Sequence, residues 1–134
     1  MIAPSGMDNE QLDTLIREAA TEIVERRLGF WKFEYSDSLL FVVTDQSHNR
    51  MRAMTPITKL DSISTDEIKI LLAANFDRAL DARYCVNEDV LWSAYLHPLA
   101  ELRPHQFLDA LSQVATLSKN FGTSFTSSDI VFGG

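Results

Sequence analysis

Two pairs of residues in this chain have the types and the spacing that acid–base or nucleophilic chemistry requires. Asp77 and Asp81 are four positions apart in a helical pattern, which would place two carboxylates on one helix face, where they could act as an acid–base pair or bind a hard cation. Cys85 and His97 lie in two consecutive β-rich runs and could pair as nucleophile and base across a hairpin. An enzyme that uses these four residues is therefore one hypothesis for the function.

Each of these residues also has a structural interpretation, which we favour. Arg78 and Arg83 flank the two carboxylates, so a surface salt-bridge network at the end of the helix is the simpler interpretation. A cysteine in a strand commonly acts as a small buried hydrophobe, and His97 directly precedes Pro98 at a strand end. We therefore predict a protein that is not an enzyme and has no catalytic residues.

The sequence also gives little support for a metal or cofactor site. The histidines at 48, 97 and 105 are never four residues apart, and Cys85 is the only cysteine, so the usual zinc spacings are missing. Gly122-Thr123-Ser124 follows a predicted helix and lacks the strand-loop-helix context of a phosphate loop. We expect neither a metal nor a cofactor.

Charge and cysteine content restrict the partners and the compartment. Twelve Lys and Arg against nineteen Asp and Glu give a formal net charge of −7, a field that repels nucleic acid and anionic membrane surfaces. The single cysteine excludes an intramolecular disulfide. The N-terminus has no basic and apolar signal-peptide pattern, and no apolar stretch reaches the roughly 18 residues of a membrane span. We expect a cytoplasmic protein that binds neither nucleic acid nor membrane.

The first half of the chain predicts one helix followed by three strands. A single domain over residues 9–122 is expected, between a flexible leader at 1–8 and a loose tail at 123–134. Apolar residues at three- and four-residue steps predict a helix over 9–28, with Asp8 as its N-cap and Gly29 as its C-cap. Strands are predicted over 31–35, 39–43 and 50–57, the third with Pro56 near its end.

The second half predicts a helix, a hairpin and a last helix. Ser64 and Glu67 form a capping box for a helix that continues to about Leu80. Residues 83–86 and 90–97 form a predicted hairpin around a turn at 87–89. Pro104 begins a third helix, which Gly122 terminates. The order α-β-β-β-α-β-β-α is an α+β architecture with three helices and a five-stranded antiparallel sheet.

Two segments carry a resemblance to a known superfamily. Asn75-Phe76-Asp77-Arg78-Ala79-Leu80 leads into the predicted hairpin, and Trp92-Ser93-Ala94-Tyr95-Leu96-His97-Pro98-Leu99 leads into the last helix. With the element order, length and acidity of residues 9–121, the chain resembles the type III secretion chaperone-like superfamily, which includes the Tir chaperone and bacterial sensory transduction regulator families. The resemblance implies a small cytoplasmic bacterial homodimer that binds an extended segment of a client or regulatory protein without catalysis.

The last predicted strand has large apolar residues on both of its faces. Val90, Trp92, Ala94 and Leu96 alternate with Leu91 and Tyr95, and residues 39–43 repeat this pattern. A sheet with helices on one side normally has polar residues on its open side, so something must cover the second face. Either a partner molecule does so, or the third helix or the tail of the same chain does. The expected partner-binding residues are Leu40, Val42, Leu91, Trp92 and Tyr95.

Two further interpretations remain open. Arg50 and Arg52 with Met51 and Met54 form a basic stripe rich in methionine, which is either an adaptable binding surface or, as strand spacing favours, part of the core. A small-ligand sensor domain with the same fold is an alternative function, and thermal-shift screening would detect its ligand.

Overall fold

Three helices and six strands make up the part of the chain that the computed structural model describes, residues 6–77 and 80–121. The helices are α1 (Asn9–Ala19), α2 (Thr65–Asp77) and α3 (Pro104–Asn120). The strands are β1 (Glu22–Arg27), β2 (Phe30–Tyr35), β3 (Ser38–Asp45), β4 (Arg50–Lys59), β5 (Arg83–Asn87) and β6 (Val90–His97). They form one antiparallel sheet in the order β1-β2-β3-β4-β6-β5.

The predicted α+β class and the antiparallel sheet are confirmed, but the sheet has six strands and not five. The helix predicted over 9–28 is wrong beyond Ala19, because the backbone of Ala20 is extended and β1 follows it. Thr21, Ile23 and Val24 are β-branched, which favours a strand over a helix. Gly29, at φ 98°, lies in the turn from β1 to β2 and is not a helix C-cap.

The local signals for the hairpins and for the second helix are confirmed. Ser36 and Asp37 connect β2 to β3, and Glu88 and Asp89 connect β5 to β6, all four with positive φ, as two-residue turns between twisted strands require. The capping box is complete: Glu67 Oε1 accepts from the Ser64 amide at 2.7 Å, and Ser64 Oγ accepts from the Glu67 amide at 3.1 Å.

Pro56 is tolerated although β4 lies between two other strands. The pairing of β4 with β3 ends at Met54, and on the β6 side the register shifts between Pro56 and Thr58. A proline at such a bulge removes no ladder hydrogen bond. At the start of α3, the Arg103 amide donates to Gln106 Oε1 at 2.8 Å, which compensates for the absence of a capping side chain.

The residues next to α1 belong to the packed fold. Met7 is buried and its amide donates to the Ala100 carbonyl at 3.2 Å, while a Cβ on Gly6 would lie 2.7 Å from the same oxygen. Gly6 and Met7, which lie in the leader predicted over 1–8, therefore contact the rest of the fold. Residues 1–5 of that leader, the Gly122 helix end and the tail at 123–134 lie outside the described residues.

The helices cover one face of the sheet. From α3, the Val114 carbonyl accepts from Ser93 Oγ at 3.0 Å, and the Leu117 carbonyl accepts from the Tyr84 hydroxyl at 2.9 Å. The core lies between this face and the helices, and its largest fully buried side chains include Trp31, Phe33, Leu12, Ile16 and Phe107. Leu108, on the outer side of α3, is 40% exposed.

A buried carboxylate joins α1 to β1 and β2. Asp13 Oδ1 accepts from Arg26 Nε at 2.6 Å and from the indole Nε1 of Trp31 at 3.0 Å. Its Oδ2 accepts from Arg26 Nη2 at 3.0 Å and from Arg17 Nε at 3.1 Å. The hydrogen bonds from Arg26 are the main reason that the pKa of Asp13 lies well below its ordinary value. These bonds fix β1 against α1.

Candidate partner-binding surface

The face of the sheet opposite the helices is apolar at its centre. Residues paired across antiparallel strands share a face, and the register places the partners of Phe41 and Trp92 on this side. We call this side the open face; its apolar residues are Phe30, Leu39, Phe41, Val43, Met54, Val90, Trp92, Ala94 and Leu96. Apart from Ala94, all of them are partly or largely exposed, and Leu96 is 53% exposed.

Three aromatic rings form a continuous series across the open face. The centroids of Phe30 and Phe41 are 6.3 Å apart, and those of Phe41 and Trp92 are 6.1 Å apart, both edge to face. The series therefore crosses from β2 and β3 to β6. Alternate side chains of an extended peptide are separated by roughly 6.6 Å, so this spacing suits a peptide that lies across the strands.

Cationic side chains are interspersed with these rings. Arg27 Cζ lies 4.5 Å from the ring centre of Phe30, and Lys32 Nζ lies 5.7 Å from that of Phe41. The register also places Arg52 and Arg83 on this side. Lys32, Arg52 and Arg83 make no ion pair with any described residue, whereas Arg27 pairs with Glu25 at 2.7 Å. The open face therefore combines apolar area with positive charge.

A recess lies beside Trp92 at the β5 side of the open face. It has a volume of about 350 Å³ and is lined by residues that include Arg52, Met54, Cys85 and Leu96. The Nε1 of Trp92 is buried and has no hydrogen-bond acceptor among the described residues. Burial raises the pKa of the Cys85 thiol despite the nearby Arg52 and Arg83.

The structure corrects four of the five residues predicted to bind a partner. Leu40, Val42, Leu91 and Tyr95 are buried beneath the helices of the same chain, because their strand positions alternate with those of the open face. The sequence pattern identified apolar residues on both faces, and four of the five residues that it selected lie on the face that the helices cover. Trp92 lies on the open face.

The basic stripe rich in methionine divides between the two faces. Met51 is fully buried in the core, as predicted, whereas the register places Arg50, Arg52 and Met54 on the open face. Alternation of polar and apolar residues along β4 was the sequence signal for this division. Phe30, Phe41 and Lys32 were not predicted as site residues, because their exposure depends on which face the helices cover.

The residues of the enzyme hypothesis do not come together. Cys85 is opposite Trp92 on the open face, whereas His97 is on the other side, where its ring stacks on Tyr95 at 6.0 Å and its Nδ1 is 2.8 Å from the Pro98 carbonyl oxygen. Asp77 ends the described part of α2, and Asp81 lies in the turn before β5.

Of the predicted salt-bridge network at the end of α2, the described residues test only the part that involves Arg83, and this part is not formed. Arg83 donates to the carbonyls of Leu80 and Ala82, and Asp81 exchanges hydrogen bonds with Gln113 of α3. Within the described ranges neither Asp77 nor Asp81 forms an ion pair. Arg78 lies outside those ranges.

The described residues contain no cluster of three or more His, Cys, Asp or Glu side chains that could hold a metal ion. Among the described helices, none has the length and apolarity to cross a membrane. The cavity between α2 and the β5–β6 hairpin has a volume of about 240 Å³ and is lined by residues that include Ile68, Leu72, Tyr84 and Val86. It is smaller than most ligand sites and has few polar groups to orient a ligand.

The outer surface of α2 is a second apolar patch. Phe76 is 91% exposed and Leu72 is 61% exposed, and Leu80, four positions after Phe76, is 73% exposed. On β5, Val86 is 53% exposed and lines the α2 cavity together with Leu72. We call Leu72, Phe76, Leu80 and Val86 the α2 patch.

Both edges of the sheet are protected. The edge strand β1 carries charged residues and a bulge between Ile23 and Glu25, features that oppose the addition of another strand. At the other edge, the side chain of Asn75 donates to the Tyr84 carbonyl at 3.0 Å and accepts from the Tyr84 amide at 2.8 Å. A partner therefore has better access to the open face than to either edge.

Comparison with known proteins identifies the fold. No family model and no curated protein matches the sequence. Among solved structures, a chain of the HopA1–SchA chaperone–effector complex aligns with a TM-score of 0.62 and 11% identity over 82% of this chain and 88% of that chain. The Yersinia pestis type III secretion chaperone SycH, in complex with a fragment of YscM2, aligns at 0.62 and 13% over 85% and 98%.

A chain of the ExsC–ExsE complex aligns with a TM-score of 0.63 and 12% identity over 84% of this chain and 92% of that chain. An uncharacterized protein from Methanothermobacter thermautotrophicus aligns at 0.61 and 12%, over 89% and 96%. The chain has the type III secretion chaperone-like fold, and the resemblance seen in the sequence is confirmed at the level of the fold.

Proposed function

We propose that this protein is a non-catalytic, chaperone-like binding protein that acts as a homodimer and holds an extended segment of a client or regulatory protein on its open face. The observation that carries the proposal is the partly exposed aromatic series of Phe30, Phe41 and Trp92 on the side of the sheet opposite the helices. Large apolar patches on a monomer commonly mark interaction sites.

The fold supports the same proposal. Several solved structures of this fold are complexes of a chaperone with a fragment or an effector protein. The separation of Cys85 from His97 argues against an enzyme that pairs them. A partner held across the sheet needs no free strand edge, which agrees with the protected edges at β1 and β5.

The homodimer is supported by the α2 patch. A two-fold interface uses the same surface on both copies, and Leu72 and Phe76, four positions apart on α2, lie on one face of this helix and can pack on the same helix of a second copy. Because the α2 patch and the open face use different residues, the dimer can form and still leave the open face for a partner. The cytoplasmic location expected from the sequence belongs to the same proposal.

The experiment is selection from a displayed library of random, unstructured 20-residue peptides. We expect the wild-type protein to enrich a set of peptides, and Leu96→Ser and Trp92→Ala to lose that enrichment, because each removes apolar area from the open face. Leu108→Ser on α3 is the matched control and should retain it. Absence of enrichment, or equal enrichment by the two open-face variants, would refute the proposed function.

A further inference from the structure

The open face differs in charge from the rest of the molecule. The chain carries a net charge of −7, yet on this face cations outnumber carboxylates. The register places the acidic Glu22, Glu25, Glu34 and Asp45 here against the cationic Arg27, Lys32, Arg50, Arg52, Lys59 and Arg83. The remaining surface is correspondingly more acidic. A negatively charged segment is therefore attracted to the open face and repelled by the rest of the surface.

Two cations on this face are available for a partner. Arg52 is exposed and has neither an ion pair nor a hydrogen-bond acceptor among the described residues, and the half-buried Lys32, whose Nζ lies 5.7 Å from the ring centre of Phe41, makes no ion pair with a described residue. Arg52 lines the recess beside Trp92 together with Leu96. A carboxylate next to an apolar side chain in the same segment can therefore reach Arg52 while its neighbour enters the recess.

The unsatisfied indole N–H of Trp92 adds to this preference. The other tryptophan, Trp31, donates its Nε1 to Asp13, whereas the buried Nε1 of Trp92 has no acceptor in the described chain. A buried donor without a partner is unfavourable. Because this atom has almost no exposed surface, the ring must turn before a carboxylate or carbonyl of the partner can accept from it.

From these observations we infer that the partner segment is acidic, with large apolar side chains at alternate positions, and that it lies across the strands over Phe30, Phe41 and Trp92. The inference rests on the proposed function and adds the chemistry of the segment. The ring spacing of 6.1–6.3 Å sets the alternation, and the unpaired Lys32 and Arg52 set the charge.

The test uses fluorescence anisotropy with two labelled 12-residue peptides. One carries three leucines at alternate positions with glutamates between them, and the other has lysine in place of each glutamate. The acidic peptide should bind the full-length protein about tenfold more tightly, since attraction replaces repulsion at two cations. Its affinity should fall severalfold between roughly 50 and 300 mM salt as the Debye length shortens.

Two charge variants locate the site. Arg52→Glu should weaken the acidic peptide about tenfold and improve the lysine peptide, whereas Lys69→Glu on α2, with the same charge change, should leave both affinities unchanged. Arg52 is exposed, so its replacement does not disturb folding. Equal affinity for both peptides, or the same effect of the two variants, would overturn the inference.

The outcomes also separate the inference from the proposed function. If both peptides bound equally and Leu96→Ser weakened both, the binding function would stand and the acidic preference would fall.

If neither peptide bound and Leu96→Ser abolished self-association, the face would belong to a second copy. Tighter binding by a 12-nucleotide oligo(dT) than by the acidic peptide would assign it to single-stranded nucleic acid. If the double variant Ile130→Ser/Phe132→Ser bound the acidic peptide about tenfold more tightly than the wild type, the open face would be assigned to the chain's own C-terminal residues. Each of the last three results would overturn the inference.

Discussion

At the residue scale, Asp13 shows how a surface pattern can hide a buried group. The sequence places it on the polar side of a predicted helix, yet in the fold it is buried and accepts hydrogen bonds from Arg17, Arg26 and Trp31. Arg26, which donates two hydrogen bonds to Asp13, belongs to β1 and is thirteen residues away in the chain. Because the sequence pattern predicts one helix over 9–28, which contains both Asp13 and Arg26, this contact could not be predicted.

Replacement of Asp13 by Asn should destabilise the protein by about 2 kcal/mol at pH 7, because the amide nitrogen that takes the place of Oδ2 cannot accept from Arg26 Nη2 and Arg17 Nε, and the negative charge is lost. Urea unfolding measures the difference. Glu18→Gln, an exposed change of the same type on α1, should alter the free energy of unfolding by less than about 0.5 kcal/mol. Equal effects of the two variants would show that the network contributes nothing.

The pH dependence follows from the lowered pKa of Asp13. A carboxyl whose folded pKa is depressed stabilises the fold above its unfolded pKa of about 4, and this contribution is lost as the pH falls toward the folded value. The stability difference between wild type and Asp13→Asn should therefore be smaller at pH 3 than at pH 7. A constant difference across this range would contradict the assignment.

At the element scale, β1 is the main departure from the predicted architecture. Residues 22–27 fit a helical period, but their β-branched residues and the adjacent Gly29 also fit a strand that turns back. Pairing with β2 and the contact of Arg26 with Asp13 decide between the two. Local patterns in short segments do not distinguish these outcomes, because tertiary contacts exceed the propensity differences.

Gly29→Ala tests the turn that makes β1 a strand. At φ 98° a side chain is strained, and we expect a loss of about 1 kcal/mol in the free energy of unfolding. Leu28→Ala, in the same turn and 58% exposed, serves as the control and should change it by less than about 0.5 kcal/mol. Thermal or urea unfolding gives both values. An unchanged free energy of unfolding in Gly29→Ala would show that the glycine has no steric role in this turn.

At the scale of the whole molecule, two apolar surfaces have different positions and different proposed partners. The open face lies opposite the helices, and the α2 patch lies at the β5 side, with Phe76 91% exposed. Asn75, the neighbour of Phe76, occupies the edge of β5 through Tyr84. Both residues belong to the segment 75–80 that carries the superfamily resemblance. In this segment the amide of Asn75, which covers the β5 edge, is next to Phe76, the most exposed aromatic residue of the described chain.

The dimer proposal predicts that Phe76→Glu yields a folded monomer, since a charge at the centre of a two-fold interface faces its own copy. Size-exclusion chromatography with light scattering should give twice the chain mass for the wild type at micromolar concentration and one chain mass for the variant. Leu108→Glu, on α3, should remain dimeric. A wild type that is monomeric at all concentrations, or a dimeric Phe76→Glu, would exclude the α2 patch as the interface.

The sequence by itself determined the fold class, the three helices, the hairpin turns and the capping of α2, because these depend on local periodicity, on turn residues and on side chains that bond to nearby backbone. It also identified two-sided apolar strands, and therefore a surface in need of cover. Only the tertiary structure decided which side of the sheet the helices take. Strand alternation is the same for either choice, so Leu40 and Phe41 exchange roles when the packing of α1 and α3 assigns one face to the core and leaves the other to solvent.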